Sequence, residues 1–509
     1  MTDTELKLFS VLAAYRDGAN GQARAEGLGC CIGSNLPTCR LTARLRLATG
    51  GGSMRLKMFL LSAGLLAALG LNCSAQTFST LHTFTNGADG STPYAGLISV
   101  GDTLYGTARG GGSAGKGTVF MVSIDGTGFT TLYSFSNSVG DDPYAGLVLS
   151  GSVLYGTTSY GGEAGSYGTV YRVNTDGTGF SPIHSFGPLQ SDGAYTKSGL
   201  VLSGNTLYGT ATEGGNGGYG TVFKLNTNGT GFTVLHRFTP TSWSGSANTN
   251  ADGANPYAAL VVYGDTLYGS ACYGGSAGNG AVFKVNTDGT GFEVLHHFTT
   301  RAIFTNRDGA NPFSGLTLSG DTLYATARTG GAAGYGTVFK LSTNGSNFTT
   351  IYSFSSGGDG AYPAAGLLLS GSTLYGAASS GGANNDGTVF RINVDGTGFT
   401  TLHSFSGGSD GGFPKAGLVL SGDTLYGTTT LGGSAGHGTV FALKLPAPVS
   451  IPLGAQPIPN ALVLSWTNSS FWLQSAVMPT GVYTNVPDAT SPYTNAFSGH
   501  QRFFRLQAN

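Results

Sequence analysis

Acid–base chemistry in this chain would have to come from very few residues. Glu163 and Glu213 each lie beside a Gly-Gly pair, in corresponding loops of adjacent repeat units. Glycoside cleavage needs two carboxyls facing each other across the scissile bond, and these two form the one credible pair. Two solvated loop acids are the simpler reading. Most other acids sit in the recurrent long loop, the SGD turn or the DGTG turn, where a short side chain caps its own backbone. His82, His184, His236, His296 and His403 share one repeated strand position, which Tyr133 and Tyr352 fill in two further units. A catalytic histidine is normally unique, so this one reads as a packing or hydrogen-bonding residue. No HExxH, P-loop or GxSxG with partners occurs, and no helix follows the glycine doublets to cradle a phosphate. Calcium needs about six to eight oxygens, whereas each long loop offers one clear carboxylate. No catalytic residue, metal site or cofactor is assigned.

Binding chemistry is better represented. Two neighbouring units are lengthened by insertions at Pro240–Ala251 and Thr299–Arg307, which carry Trp243, Arg301, Phe304 and Arg307. The residues just before the Gly-Gly pairs also vary, with Arg109, Tyr160, Glu213, Tyr273 and Arg328 among them in five of the units. Aromatics with a few polar groups suit a sugar or peptide. These nine residues are the candidate ligand-binding set.

The elements that position them come from an internal repeat. The tyrosine of an LYG-like block recurs at 105, 155, 208, 268, 324, 375 and 426. Each unit holds four short runs rich in β-branched and aromatic residues, such as TTLHSF, AGLVLS, TLYGTT and TVFALK. Each run reads as a strand. Seven units of four antiparallel strands predict an all-β chain with a seven-bladed β-propeller over 77–445. An SGD turn and a DGTG turn make two tight connections, with Gly and Asp supplying positive φ. The D-G-x-x-P-aromatic and Gly-Gly connections are longer. Antiparallel alternation puts both tight turns on one face of the ring and both long loops on the other. Function tends to ride on long loops over a rigid scaffold, so binding is assigned to the long-loop face. If the third run, with its small Gly and Thr residues, lines the axis, the Gly-Gly residues ring the channel mouth and both chain ends share one blade.

Composition agrees. Of 509 residues, 87 are glycine, 10% are charged and the net charge is −1. Such a chain has no basic field to neutralise phosphates, which excludes electrostatic nucleic-acid binding. Hydrophobic residues at 40% exclude a charge-driven disordered tail. Glycine falls as turn punctuation and lacks the every-third-residue period of collagen.

The ordered blocks GLVLSGDTLYGTT, GG-SAG-x-GTVF and DGTGFTTLHSF resemble the GloVer tandem-repeat family of exported bacterial proteins, with kelch-like Gly-Gly pairs. The resemblance implies a propeller-like exported repeat protein and no reaction. It also implies a terminal hydrophobic anchor helix, where this chain has QRFFRLQAN.

Outside the repeats, 54–75 reads as a secretory signal peptide: Arg55 and Lys57, an apolar run from Met58 to Leu71, and cleavage after Ala75. Residues 1–53 precede it, so translation is expected to start at Met54. Only Cys272 then remains in the mature chain, as an inert buried thiol without a disulfide partner. Five prolines make 446–459 a stiff linker, and 460–509 reads as a small β module. The expected protein is a secreted or envelope-located monomer. It has no transmembrane helix in the mature chain and binds extracellular polysaccharide or protein. A carbohydrate-active enzyme and a purely structural surface protein are the alternatives.

Overall fold

Among the described residues, short strands and tight turns follow one another without a helix. β1 (Thr77–Thr83) is followed by β2 (Ile98–Val100), β3 (Thr103–Ala108), β4 (Thr118–Ser123) and β5 (Thr130–Ser134). β2 to β5 pair antiparallel in chain order, and the four-stranded sheet recurs to give seven blades. In the last blade, Val419–Ser421, Thr424–Thr429 and Thr439–Lys444 are completed by β1, with Thr77 opposite Lys444 and Thr83 opposite Thr439. Both ends of the repeat region therefore share one blade. The computed structural model describes residues 76–446 apart from 164 and 188–190, and beyond them 454–458, 461–465, 471–476, 484–486, 493–496 and 503–508. The segments expected to be a signal peptide (54–75) and an upstream extension (1–53) lie outside the described residues.

Seven core layers lie between blades. Phe84, Leu97, Leu104 and Phe120 of the first blade and its entry loop pack against Tyr426, Val440 and Ala442 of the last, and each boundary repeats this pattern. Phe120, Phe223, Phe283, Phe339, Phe390 and Phe441 are fully buried, with Tyr171 at the equivalent place. Each such side chain contributes roughly 1.5–3 kcal/mol on burial, and that burial is completed only by the neighbouring blade: Phe120 stacks on Phe129 of its own blade and is covered by Phe84, which leads in from the last.

The innermost strand is the second run, β2 and its equivalents, which corrects the axial placement of the third. The inner strands of adjacent blades meet at glycine: a Cβ on Gly96 would lie 3.1 Å from the Gly417 carbonyl, and one on Gly146 3.2 Å from that of Gly96. Glycine permits this close approach of backbones. The third run is instead a central strand, buried along five of its six residues in β3. Strand order in a ring is cyclic, so closure at the last blade survives the change of phase.

The two faces separate as strand alternation requires. On one, the tight turns touch each other, with Ile124 N donating to Asp102 O at 3.0 Å and Leu445 N to Asp423 O at 2.8 Å. On the other, the two long loops of each blade join by a backbone bridge, as in Ser91 with Gly110 and Ala254 with Tyr273. Asp125 caps its DGTG turn by accepting from Thr127 N at 2.9 Å and Thr127 Oγ1 at 2.7 Å.

In the C-terminal region, Gly454–Ile458 pairs with Ala461–Ser465, and Phe471–Ala476 pairs with Phe503–Ala508. The first of these strands lies inside the segment expected to be linker. It is an edge strand, the position in a sheet that tolerates a proline such as Pro457.

Candidate functional site

The repeated histidine is a latch between blades. His82 Nε2 lies 3.2 Å from Asp89 Oδ2, and its ring stacks on Phe129 of the next unit at 3.6 Å between centroids. His184, His236, His296 and His403 pair with Asp192, Asp252, Asp308 and Asp410 at 3.0–3.2 Å. Tyr352 donates to Asp359 in the same way at 3.1 Å. The latch aspartate is also tied to the hydroxyl and backbone amide of a nearby Thr or Ser, as Asp89 is to Thr85. Beside Tyr133 the aspartate position holds Val139; Asp141 and Asp142 lie further along that loop, paired to Lys116 and Arg109.

Burial depresses the His82 and His403 rings below the usual 6.5, outweighing the aspartate beside each. For Asp89, Asp252 and Asp308, burial acts upward, but the hydrogen bonds from threonine and histidine prevail and hold each below 3.8. Both sets bind fewer protons folded than unfolded, so acid destabilises the ring. The melting temperature is expected to fall first as pH drops below about 6.5, from the histidines, and again below about 4, from the aspartates. A flat melting profile between pH 7.5 and 5 would refute the histidine part.

The two insertions make the ring asymmetric. Ser242–Trp243 and Asn248–Thr249 form a small hairpin, and Ala302 bridges Thr305 in the neighbouring loop. Between them opens a pocket of about 510 Å³, lined by Tyr219, Asn248, Tyr273, Asn279, Arg301 and Ile303 among others. Arg301 Nη1 donates to Thr329 Oγ1 at 3.3 Å, which sets the guanidinium at the pocket's edge. Trp243 and Phe304 are outside the lining, standing 68% and 69% exposed on the loops. Arg307 belongs to an adjoining hollow of about 670 Å³ with Phe348 and Asp308.

The other candidates stand one step back from the axis. The Arg109 guanidinium lies 4.7 Å from the Tyr144 ring and 5.4 Å from Tyr94, and forms a two-point ion pair with Asp142. Arg328 lies over Phe313 at 5.3 Å, and Tyr273 meets the same ring edge-on at 6.4 Å. Tyr160 packs edge-on to Tyr195, and Glu213 is half-buried with its backbone bridged to Ala194. Glu163 is exposed in its turn.

In front of them is a ring that sequence reasoning missed. The loop entering each inner strand, D-G-x-x-P in five of the seven units, delivers one side chain to the axis: the aromatics Tyr94, Tyr144, Tyr257 and Phe313, the lysines Lys197 and Lys415, and Ala364. They line a cavity of about 330 Å³ whose wall below is the glycine-rich start of the inner strands. Tyr94 and Tyr144 stand 4.1 Å apart, and Tyr257 and Phe313 4.7 Å. Burial raises the Tyr144 and Tyr257 hydroxyls above the usual tyrosine range, so both stay protonated. The signal was in the D-G-x-x-P-aromatic pattern, which fixes a turn and also names the residue after the proline position, a position that Thr196 fills before Lys197.

A family model described as the Gloeobacter/Verrucomicrobia repeat matches residues 67–251 and 241–441. The chain belongs to this family. Among solved structures, this Gloeobacter/Verrucomicrobia repeat protein is similar to an oligogalacturonate lyase from Vibrio parahaemolyticus, with 12% identity, 73% of this chain and 98% of that one covered, and a TM-score of 0.45. It is also similar to the GH74 enzyme of Niastella koreensis, with 16% identity, 77% and 59% covered, and a TM-score of 0.46. A nidogen/laminin complex matches with 15% identity, 60% and 92% covered, and a TM-score of 0.35. No curated protein matches the chain. In this Gloeobacter/Verrucomicrobia repeat ring, Cys272 is buried, and burial pushes its thiol well up. No helix among the described residues is long and apolar enough to cross a membrane.

Proposed function

We propose that the protein is an exported, non-catalytic binding module that holds an extracellular glycan or protein ligand on its long-loop face, in the pocket between the two insertions. The observation that carries the reading is that pocket. It exists because two adjacent loops are lengthened, and its volume of about 510 Å³ falls in the range of ligand sites. Tyr273 offers an exposed ring and Arg301 a guanidinium at the same opening, which suits polar ligands with flat apolar faces. Export is supported by the character of 54–75 and by the family.

A glycan array and a screen of extracellular proteins test this. Tyr273→Ala and Arg301→Ala are each expected to weaken the best ligand roughly tenfold or more, as loss of an aromatic or arginine anchor does. Their melting temperatures should stay near wild type, because both side chains are partly exposed. Unchanged affinity in both variants would refute the pocket as the site.

A further inference from the structure

The axial ring has a chemistry of its own. In order around the axis it reads Tyr94, Tyr144, Lys197, Tyr257, Phe313, Ala364, Lys415. Two aromatic pairs thus alternate with two lysines. The Lys197 ammonium lies 5.1 Å from the Tyr257 ring and Lys415 4.8 Å from Tyr94. Among the described residues, no carboxylate forms an ion pair with Lys197, Lys415 or Arg328, whereas Arg109 is matched by Asp142. The half-buried Glu213 is the nearby opposing charge: it acts on both Tyr195 and Tyr257. With the lysines and Arg328 the mouth is net cationic on a chain whose total charge is −1. Held over aromatic faces, the two ammonium groups are already partly desolvated, which raises the value of an incoming anion.

We infer that this mouth is a second site, which takes an acidic saccharide: a sugar ring lies on the Tyr94–Tyr144 or Tyr257–Phe313 pair while its carboxylate reaches Lys197 or Lys415. An acidic peptide fits less well, because the wall below is mostly glycine and alanine, with Leu97, Ile98, Leu147 and Leu200 between them, and holds no polar side chain to pair with a peptide backbone. A cavity of about 330 Å³ lies at the small end of ligand sites, sized for a short stretch of sugar. The inference rests on the long-loop face being the binding face, but on none of the residues that line the insertion pocket; of these, Tyr273 meets the axial ring at Phe313.

Titration calorimetry with hexuronate oligosaccharides, and with the same oligosaccharides carboxyl-reduced, decides it. Wild type is expected to bind the acidic form, more weakly as salt rises, and the reduced form at least tenfold less well. Lys197→Met with Lys415→Met should lose tenfold or more of the acidic affinity, and Tyr144→Ala a similar amount. Arg301→Ala should bind the acidic form like wild type. Equal affinity for reduced and acidic forms, wild-type affinity in the double lysine variant, or no binding of either form overturns the proposal. A neutral ligand found on the array and lost in Arg301→Ala would leave the insertion pocket standing when the axial site has failed. An acidic ligand lost only in the lysine variants does the reverse.

Discussion

Removal of residues 77–83 is expected to abolish the folded ring. β1 is the outermost strand of the last blade and pairs antiparallel along Thr439–Lys444, with one bulge between Thr80 and His82. Its Phe78 stacks on His403 at 4.0 Å and packs on Phe441 at 5.5 Å. Phe78 thus makes for the last boundary the contact that Phe129 makes with His82 at the first. Gln76 adds a bond to the Leu402 carbonyl at 2.9 Å. Without β1, the Thr439–Lys444 edge is bare, and an exposed edge invites pairing between molecules. The truncated chain should lose its cooperative melt in circular dichroism and elute as aggregate. Phe78→Ala keeps the strand and should cost about 2–4 kcal/mol, read by chemical denaturation. A truncated chain that melts cooperatively within a few degrees of wild type would show that the ring closes by other means.

The second large effect is expected at Gly280. It sits at φ 100°, and an added Cβ would lie 2.6 Å from the Ala271 carbonyl and 2.6 Å from Pro312 Cδ. The first atom belongs to the glycine's own blade and the second to the loop entering the next, so nothing there can give way alone. Gly280→Ala should destabilise by about 3–5 kcal/mol, the sum of backbone strain and overpacking. Gly264 is the control. Its φ is also positive, at 57°, but a Cβ there meets nothing within 4 Å, so Gly264→Ala should cost only about 1–2 kcal/mol. Equal costs in denaturant titrations would mean that the contact between blades contributes little.

The strand count, the seven-fold repeat and the separation of faces were all legible in the sequence, because period-2 patterning and turn chemistry are local. The blade phase was not. The LYGT run and the AGL run both carry small residues, and only the distance between Gly96 and Gly417, 321 positions apart, tells which meets its neighbour at the axis. The same limit hid the ring of Tyr94, Lys197 and Lys415. Its members come from separate units, so their chemistry appears only when the ring closes. Arg109 and Arg328 were found by their variability, but the aromatic faces they lie over belong to the inner ring. Asp141 and Asp142 illustrate the converse. They look like latch aspartates by composition, yet they stand two and three positions past the latch site at Val139 and pair with Lys116 and Arg109 instead.

The register of Thr77 with Lys444 has a consequence for tethering. Both residues lie at the tight-turn end of their strands, so the polypeptide enters and leaves the propeller side by side on the face away from the long loops. An attachment at either end would hold the ring like a dish on a stalk. The cationic mouth and the insertion pocket would then face outward, clear of the surface that carries them.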